Sequence, residues 1–312
     1  MRAFIFPGQG AQSVGMGRAL ADAYPEARAA FEEVDDALGQ KLSTLIFEGP
    51  QDELTLTENA QPALMATSMA AFRALGAEGV TIEDAAYVAG HSLGEYSALA
   101  AAGALGMGDA ARLLRKRGQA MQEAVPVGVG AMAAILGLGY EKAVVVAAEA
   151  SGGQVCEAAN DNDPSQVVIS GHKAAVDRAV EIAREHGAKR AVILPVSAPF
   201  HCELMQPAAD AMRAALAEVA IGSPAVPIVS NVSASGVEDP EEIRRLLVEQ
   251  VTERVRWRES VLWLAGRGVT EFVEIGAGNA LSGMVRRIDR RLATQPVGTP
   301  EEVKKLAEAL RG

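Results

Sequence analysis

Gly90-His91-Ser92-Leu93-Gly94 fits the pattern G-x-S-x-G, in which a serine sits on a tight turn between a strand and a helix. The flanks agree with it. Ala85-Ala86-Tyr87-Val88-Ala89 is an apolar run of strand length, and residues 95–102 are small and compatible with a helix. A strand, a turn and a helix would hold the Ser92 hydroxyl on an exposed corner at a helix N-terminus. The flanking glycines admit the strained backbone of such a turn and the close approach of neighbouring elements. With 31 glycines in 312 residues the pentapeptide alone does not decide the matter, so the strand before it and the helix after it carry the reading.

Outward from this elbow, residues 3–6 read as a strand, followed by the loop Pro7-Gly8-Gln9-Gly10-Ala11-Gln12. Helical patterns run to residue 76, with breaks near Gly39 and at Gly49-Pro50. Asp109 is expected to cap a helix that reaches about residue 122. From about 125 to 195 the pattern changes. It reads strand 131–136, helix 141–150, strands 154–159 and 166–170 joined by the turn-rich Asn160-Asp161-Asn162-Asp163-Pro164, helix 173–186 and strand 190–195. That order is βαββαβ, the ferredoxin-like unit. Beyond Pro199 the chain returns to helix, then a strand at 228–231, a further helix and a strand at 271–275. The expected class is α/β: an α/β-hydrolase-like core with a mostly parallel sheet (residues 1–124 and 196–312), interrupted by a ferredoxin-like subdomain (residues 125–195). A cleft between two such bodies is a common place for a ligand.

Composition narrows the function. The chain is 49% hydrophobic, enough for a large core, but only 4% aromatic, so Ala, Gly, Val and Leu must fill the interior. A net charge of −11 argues against wholesale nucleic-acid binding. Two cysteines, Cys156 and Cys202, build neither a disulfide framework nor a paired-cysteine zinc site, so no metal centre and a cytoplasmic location are expected. The apolar stretch before Pro7 is too short for a signal-peptide core, and the uncharged stretch 124–140 is too short for a membrane span.

A serine alcohol becomes a nucleophile only when a base takes its proton. Of the four histidines, His172 opens a helix and His186 ends one, which suits solvent or capping roles, and His91 lies in the elbow. His201 follows Pro199-Phe200 at the return to the core and is the best-placed base, although a lone histidine is more often structural. Arg117 lies on the stripe formed by Ala110, Leu113, Leu114 and Met121, whereas Arg112, Arg115 and Lys116 point elsewhere. A guanidinium on a buried face needs an anion: either a core carboxylate or the carboxylate of a substrate held by two parallel hydrogen bonds. Both options stay open at this point.

Gly8-Gln9-Gly10 and Gly276-Ala277-Gly278 are partial matches to a dinucleotide loop, with Ser13 and Leu281 where the third glycine belongs. A nucleotide-binding module therefore remains an alternative, and the same backbone N–H groups could line an oxyanion site. Cys202 beside His201 reads better as a buried structural thiol than as a nucleophile. Arg286-Arg287 and Arg290-Arg291 read as a solvated face that can also receive an acidic partner.

Together, Phe6-Pro7-Gly8-Gln9-Gly10, Gly90-His91-Ser92-Leu93-Gly94-Glu95, Arg117, Asn160 and Asn162, Pro199-Phe200-His201, and Gln250 ahead of Val255-Arg256-Trp257 resemble the malonyl-CoA:acyl-carrier-protein transacylase family. The resemblance covers essentially the whole chain. It implies that Ser92 carries the acyl group, that His201 is the base, and that the backbone carbonyl of Gln250 orients the imidazole. It further implies an oxyanion hole from Gln9 and the N–H of Leu93, a malonyl carboxylate bound by Arg117, and Asn160, Asn162 and Phe200 at the substrate. The implied partners are malonyl-CoA and, transiently, an acidic acyl carrier protein, with no cofactor, no nucleic acid and no membrane. Nothing in the sequence demands more than a monomer. The rival enzyme is an α/β-hydrolase esterase or thioesterase, which shares the elbow but ends with water and needs an acid behind its histidine.

Overall fold

A computed structural model describes residues 1–196 and 198–311. Within them the strands, in chain order, are β1 (Arg2–Phe6), β2 (Tyr87–Gly90), β3 (Gly130–Leu136), β4 (Cys156–Asp163), β5 (Gln166–His172), β6 (Arg190–Ile193), β7 (Ile228–Val229), β8 (Gly236–Val237), β9 (Glu271–Ile275) and β10 (Ala293–Val297).

The run Ala3-Phe4-Ile5-Phe6 shows why the larger sheet forms. All four side chains are fully buried. Phe4 and Phe6 enter one apolar core, and Ala3 and Ile5 enter a second core on the opposite face. A strand buried on both faces is the mark of a sheet covered by helices on each side. The sheet has the order β10-β9-β1-β2-β7-β8 and is parallel except for β8. The helices Thr57–Ala77 and Met107–Ala124 pack on the Phe4 side; Trp257–Gly266 and Ala280–Ile288 pack on the other.

The smaller sheet is antiparallel, with the order β4-β5-β3-β6. Ala133 and Ile135 of β3 and Ile169 of β5 face Val146 and Val176 of the helices Tyr140–Ser151 and Lys173–Glu185, closing a core of their own. Met132 and Val168 point the other way, into the core of the larger body. The mixed α/β class, the mostly parallel sheet and the antiparallel βαββαβ sheet agree with expectation.

Several local expectations are corrected. Asn160 to Asp163 are not a turn but the end of β4, and the turn follows at residues 164–165. Turn-forming residues stay extended here because their polar groups find remote partners. Buried Asp161 pairs with Arg258 at 2.9 Å, buried Asp163 with Arg287 at 2.7 Å, and the Asn162 side chain meets His91 at 2.8 Å. The backbone is tied as well: Asp161 N–H donates to the Val255 carbonyl and Val255 N–H to that of Ala159. Asp109 does not cap its helix. Gly106 holds that place, and Asp109 lies in the first turn, paired with Arg112 at 2.6 Å. The strand expected at 228–231 stops at Val229, and the strand expected at 190–195 stops at Ile193. β10 and the helix Pro300–Arg311 were not foreseen.

The elbow stands at the carboxyl end of β2. A Cβ on Gly90 would collide with the backbone of Gly94, and one on Gly94 with the carbonyl oxygen of Phe6. These contacts are backbone on backbone, so no side chain can rotate away. Gly94→Ala is therefore expected to destabilise the fold by roughly 3 kcal/mol or more. Urea unfolding measures it, and an unshifted midpoint would show that β1 does not pass so close to the elbow.

Candidate active site

The carboxyl ends of adjacent parallel strands form a natural site because the connecting loops diverge there. The loop after β1, the elbow after β2, the helix Met107–Ala124 and the segment returning from the small sheet converge on a cavity of about 440 Å³. Its walls include Gln9, Ser92, Leu93, Arg117, Asn160, Asn162, Phe200 and His201. Gln250 stands behind His201.

Ser92 has φ 53° and His201 φ 57°, two non-glycine residues held in the left-handed region. Such strain concentrates where surrounding contacts over-determine the backbone, and Asn231 supplies them at the elbow. Its Oδ1 accepts the Ser92 N–H at 2.7 Å and its Nδ2 donates to the Gly90 carbonyl at 2.7 Å. The Ser92 hydroxyl is thereby turned to His201, with Oγ 2.8 Å from Nε2.

The other nitrogen of the ring, Nδ1, lies 2.8 Å from the backbone carbonyl of Gln250. A carbonyl only accepts, so Nδ1 carries the proton and Nε2 presents a lone pair to the serine. Gln250 caps the C-terminus of the helix Pro240–Glu249. Carbonyls at that position lack an intrahelical partner and carry the negative end of the helix dipole. The partner of His201 is thus a dipole and not a carboxylate. Burial, followed by the positive charge of Arg117, lowers the imidazole from 6.5 to about 3, against the opposing pull of the Gln250 carbonyl. With its folded value depressed, the ring is neutral above about pH 3.

Arg117 is 2% exposed. Its Nη1 donates to Gln61 Oε1 at 2.8 Å, and its Nη2 to Gln250 Oε1 at 2.8 Å and to Ser92 Oγ at 3.1 Å. No direct carboxylate partner is present among the described residues, and Nε is buried without an acceptor there. Of the two openings left by the sequence, direct pairing with a core carboxylate is overturned. Burial lowers the guanidinium below its usual range, opposed by Tyr96 and by Glu95.

Gln9 accepts from the Thr57 hydroxyl at 2.6 Å through its side chain. The backbone N–H groups of Gln9 and Leu93 donate to no described residue. Phe200, 9% exposed, and the asparagines on β4 line the cavity wall. Asn162 Oδ1 accepts from His91 Nε2, linking the small sheet to the elbow.

Three residues of this network were not singled out from the sequence. Gln61 is a buried amide on the helix Thr57–Ala77, Asn231 a buried amide just past β7, and Glu95, quoted only as the last residue of the elbow motif, a buried acid in the first turn after it. A polar side chain on a helix as apolar as Thr57–Ala77 is the signal that marks Gln61. The other candidates stay apart: Cys202 donates its thiol to the Pro199 carbonyl and is pushed by burial up to about 12, His172 accepts from the Val155 N–H, and His186 meets Glu149. Among the described residues, no group of three or more His, Cys, Asp or Glu is placed to hold a metal ion, and no helix is long and apolar enough to cross a membrane.

The family described as "Acyl transferase domain" matches residues 3–296. The chain belongs to this acyl transferase family. It is 48% identical over 310 residues to the malonyl CoA-acyl carrier protein transacylase of Bacillus subtilis (strain 168), covering 99% of this chain and 97% of the relative. The crystal structure of an acyl-carrier-protein-S-malonyltransferase from Bartonella henselae matches with a TM-score of 0.97 and 53% identity, covering 100% of this chain and 99% of that one. A malonyl-transacylase solved in complex with a type II PKS acyl-carrier protein matches with a TM-score of 0.96 and 42% identity, covering 99% of each chain.

For an acyl transferase of this geometry the protonation of His201 is decisive, and its depressed value gives a direct expectation. In imidazole-labelled protein the His201 ring should remain neutral, protonated at Nδ1, when observed by NMR at pH 5. A doubly protonated ring at pH 6 would show that burial and Arg117 do not act as described.

Proposed function

We propose that the chain transfers a malonyl group from malonyl-CoA to the pantetheine thiol of an acyl carrier protein in fatty acid synthesis, through a malonyl ester on Ser92. The observation that carries this reading is the placement of one hydroxyl between two groups. Ser92 Oγ stands 2.8 Å from the neutral Nε2 of His201 and 3.1 Å from a buried guanidinium.

Ser92 attacks the thioester carbonyl while His201 takes its proton, and CoA departs as the C–S bond breaks, its sulfur regaining the proton from the imidazolium. The carrier's thiol then attacks the ester in the reverse sense, a ping-pong cycle. The N–H of Leu93, at the start of the helix Gly94–Ala101, and Gln9 are the expected donors to the oxyanion. Losing one such donor typically raises the barrier by about 3–4 kcal/mol. A thioester is already activated, so a helix-end dipole behind the imidazole suffices where hydrolases place a carboxylate.

Arg117 supplies selectivity. Its two Nη groups now rest on neutral amide oxygens and the serine oxygen, and a malonyl carboxylate is a stronger acceptor. An acyl group without that charge would leave the guanidinium uncompensated, a penalty of roughly 3–5 kcal/mol. Asn160, Asn162 and Phe200 would contact the substrate from the opposite wall.

The same reading assigns residues 1–124 and 196–312 to a catalytic core and 125–195 to a smaller subdomain, supported by the separate apolar core there. It also takes the protein as a cytoplasmic monomer that needs no cofactor. The carrier is taken to dock beside the cavity mouth. Ala280, Leu281 and Met284 line the cavity, and the same helix carries Arg286 and Arg287 in its last turn. Arg290 and Lys189 are taken as further basic contacts for the carrier.

Intact mass after mixing with malonyl-CoA tests the reading. A malonyl adduct on Ser92, absent in Ser92→Ala and discharged by carrier protein, is expected; prompt hydrolysis would mean an esterase, and no adduct a binding module. In the same assay Arg117→Ala should lose malonyl loading by about 10²-fold or more while acetyl loading gains. Malonyl turnover within a few-fold of the parent would remove the carboxylate clamp. Docking makes a separate expectation: transfer to the carrier should weaken with salt more steeply than loading from CoA. Equal salt dependence of the two half-reactions would count against the basic surface.

A further inference from the structure

Glu95 is 2% exposed and does not line the cavity, yet it is wired to it. Its Oε2 accepts from Gln250 Nε2 at 2.7 Å and from the Asn231 N–H at 3.2 Å. The same Nε2 donates to the Ser92 carbonyl at 3.0 Å, while Gln250 Oε1 accepts from Arg117 Nη2 at 2.8 Å. A primary amide can be turned by half a revolution, exchanging its donor and acceptor ends. Here one end faces a carboxylate and a carbonyl, neither of which donates, so the NH₂ must lie there. Only the oxygen is then left for the guanidinium.

We propose that Glu95 is a positioning residue for acyl selectivity: through the Gln250 amide it fixes the guanidinium of Arg117 beside Ser92, and it supplies the remote negative charge that keeps this cation in place between substrates. The inference rests on the transferase reading above and deepens it. Without the carboxylate, the Gln250 amide can turn its NH₂ toward Arg117, donor against donor, and the guanidinium loses its register with the serine. The charged and titratable groups facing Glu95 are Arg117 from the helix Met107–Ala124 and Tyr96 from its own helix; Gln250, Asn231 and Ser230 face it as neutral groups. Burial pushes the Glu95 carboxyl up to about 7, against hydrogen bonds from Gln250 and Asn231 and the charge of Arg117. The negative charge is therefore complete only above about pH 7, and the loading experiment is run at about pH 8, where Glu95 is the carboxylate.

The test is Glu95→Gln, an isosteric change that removes the charge and allows either amide sense. Single-turnover loading of Ser92 from malonyl-CoA and from acetyl-CoA is followed by intact mass, with thermal unfolding in parallel. The malonyl-to-acetyl ratio should fall about tenfold or more, the size expected of neighbours in one hydrogen-bond network. Gln250→Met keeps the backbone carbonyl for His201 but removes the amide; it should lower the ratio likewise, and adding Glu95→Gln to it should change the ratio no further. A ratio unchanged in Glu95→Gln, or an equal loss for both acyl groups that follows a lowered Tm, overturns the proposal. Should Glu95→Gln not fold, an unchanged ratio in Gln250→Met overturns it. Failure of the parent reading is distinct, because the unaltered protein would then give no malonyl adduct on Ser92, and the present inference would fall with it.

Discussion

The desolvated guanidinium of Arg117 is the constraint around which the site is organised. An ion in a low-dielectric interior must have every available acceptor brought to it, or it destabilises the fold by several kcal/mol. The acceptors come from distant parts of the chain: Gln61 from one helix, Gln250 from the end of another, and Ser92 from the elbow. Because Gln250 also offers its backbone carbonyl to His201, satisfying the cation fixes the imidazole too. One buried charge thus holds together the cleft wall, the nucleophile turn and the histidine.

This arrangement requires that the two sheets keep a fixed relation, and the seam between them is built for it. The end of β4 bridges to Val255 by two backbone hydrogen bonds. Buried Asp161 and Asp163 each meet an arginine that leaves the opposite body, and Asn162 meets His91 beside the nucleophile. Removing one partner from such a buried pair is more damaging than the pair's net worth, because the remaining carboxylate has no water to turn to. The cavity walls therefore belong to one rigid frame even though they come from two sheets.

How much of this was legible in the sequence depends on the range over which each feature is decided. Ser92 is decided locally, by the strand, turn and helix between residues 85 and 102. Arg117 is visible because a cation interrupts an otherwise apolar helical stripe. The βαββαβ succession of elements follows from the changing periodicities between 125 and 195, and the order of its strands in the sheet from the structure. Asn160 to Asp163 were misread because local turn propensity was overruled by partners a hundred residues away, Arg258 and Arg287. β10 was missed because Ala-Thr-Gln-Pro-Val carries a polar pair and a proline, which a strand at the sheet edge tolerates. Gln61, Asn231 and Glu95 gave little local signal, since a buried polar side chain shows its purpose only when its remote partner is known. The partner of His201 leaves no mark in the local pattern, because every residue has a carbonyl; the resemblance to the family, and no property of the residue itself, pointed to Gln250.

In a hydrolase-like triad, one codon change can delete the group behind the imidazole. Here the acceptor is main chain, present whatever amino acid position 250 encodes. A substitution at 250 reaches the ring only indirectly, by loosening the amide contacts that hold the helix end, whereas the loss of an acidic side chain would remove the partner outright.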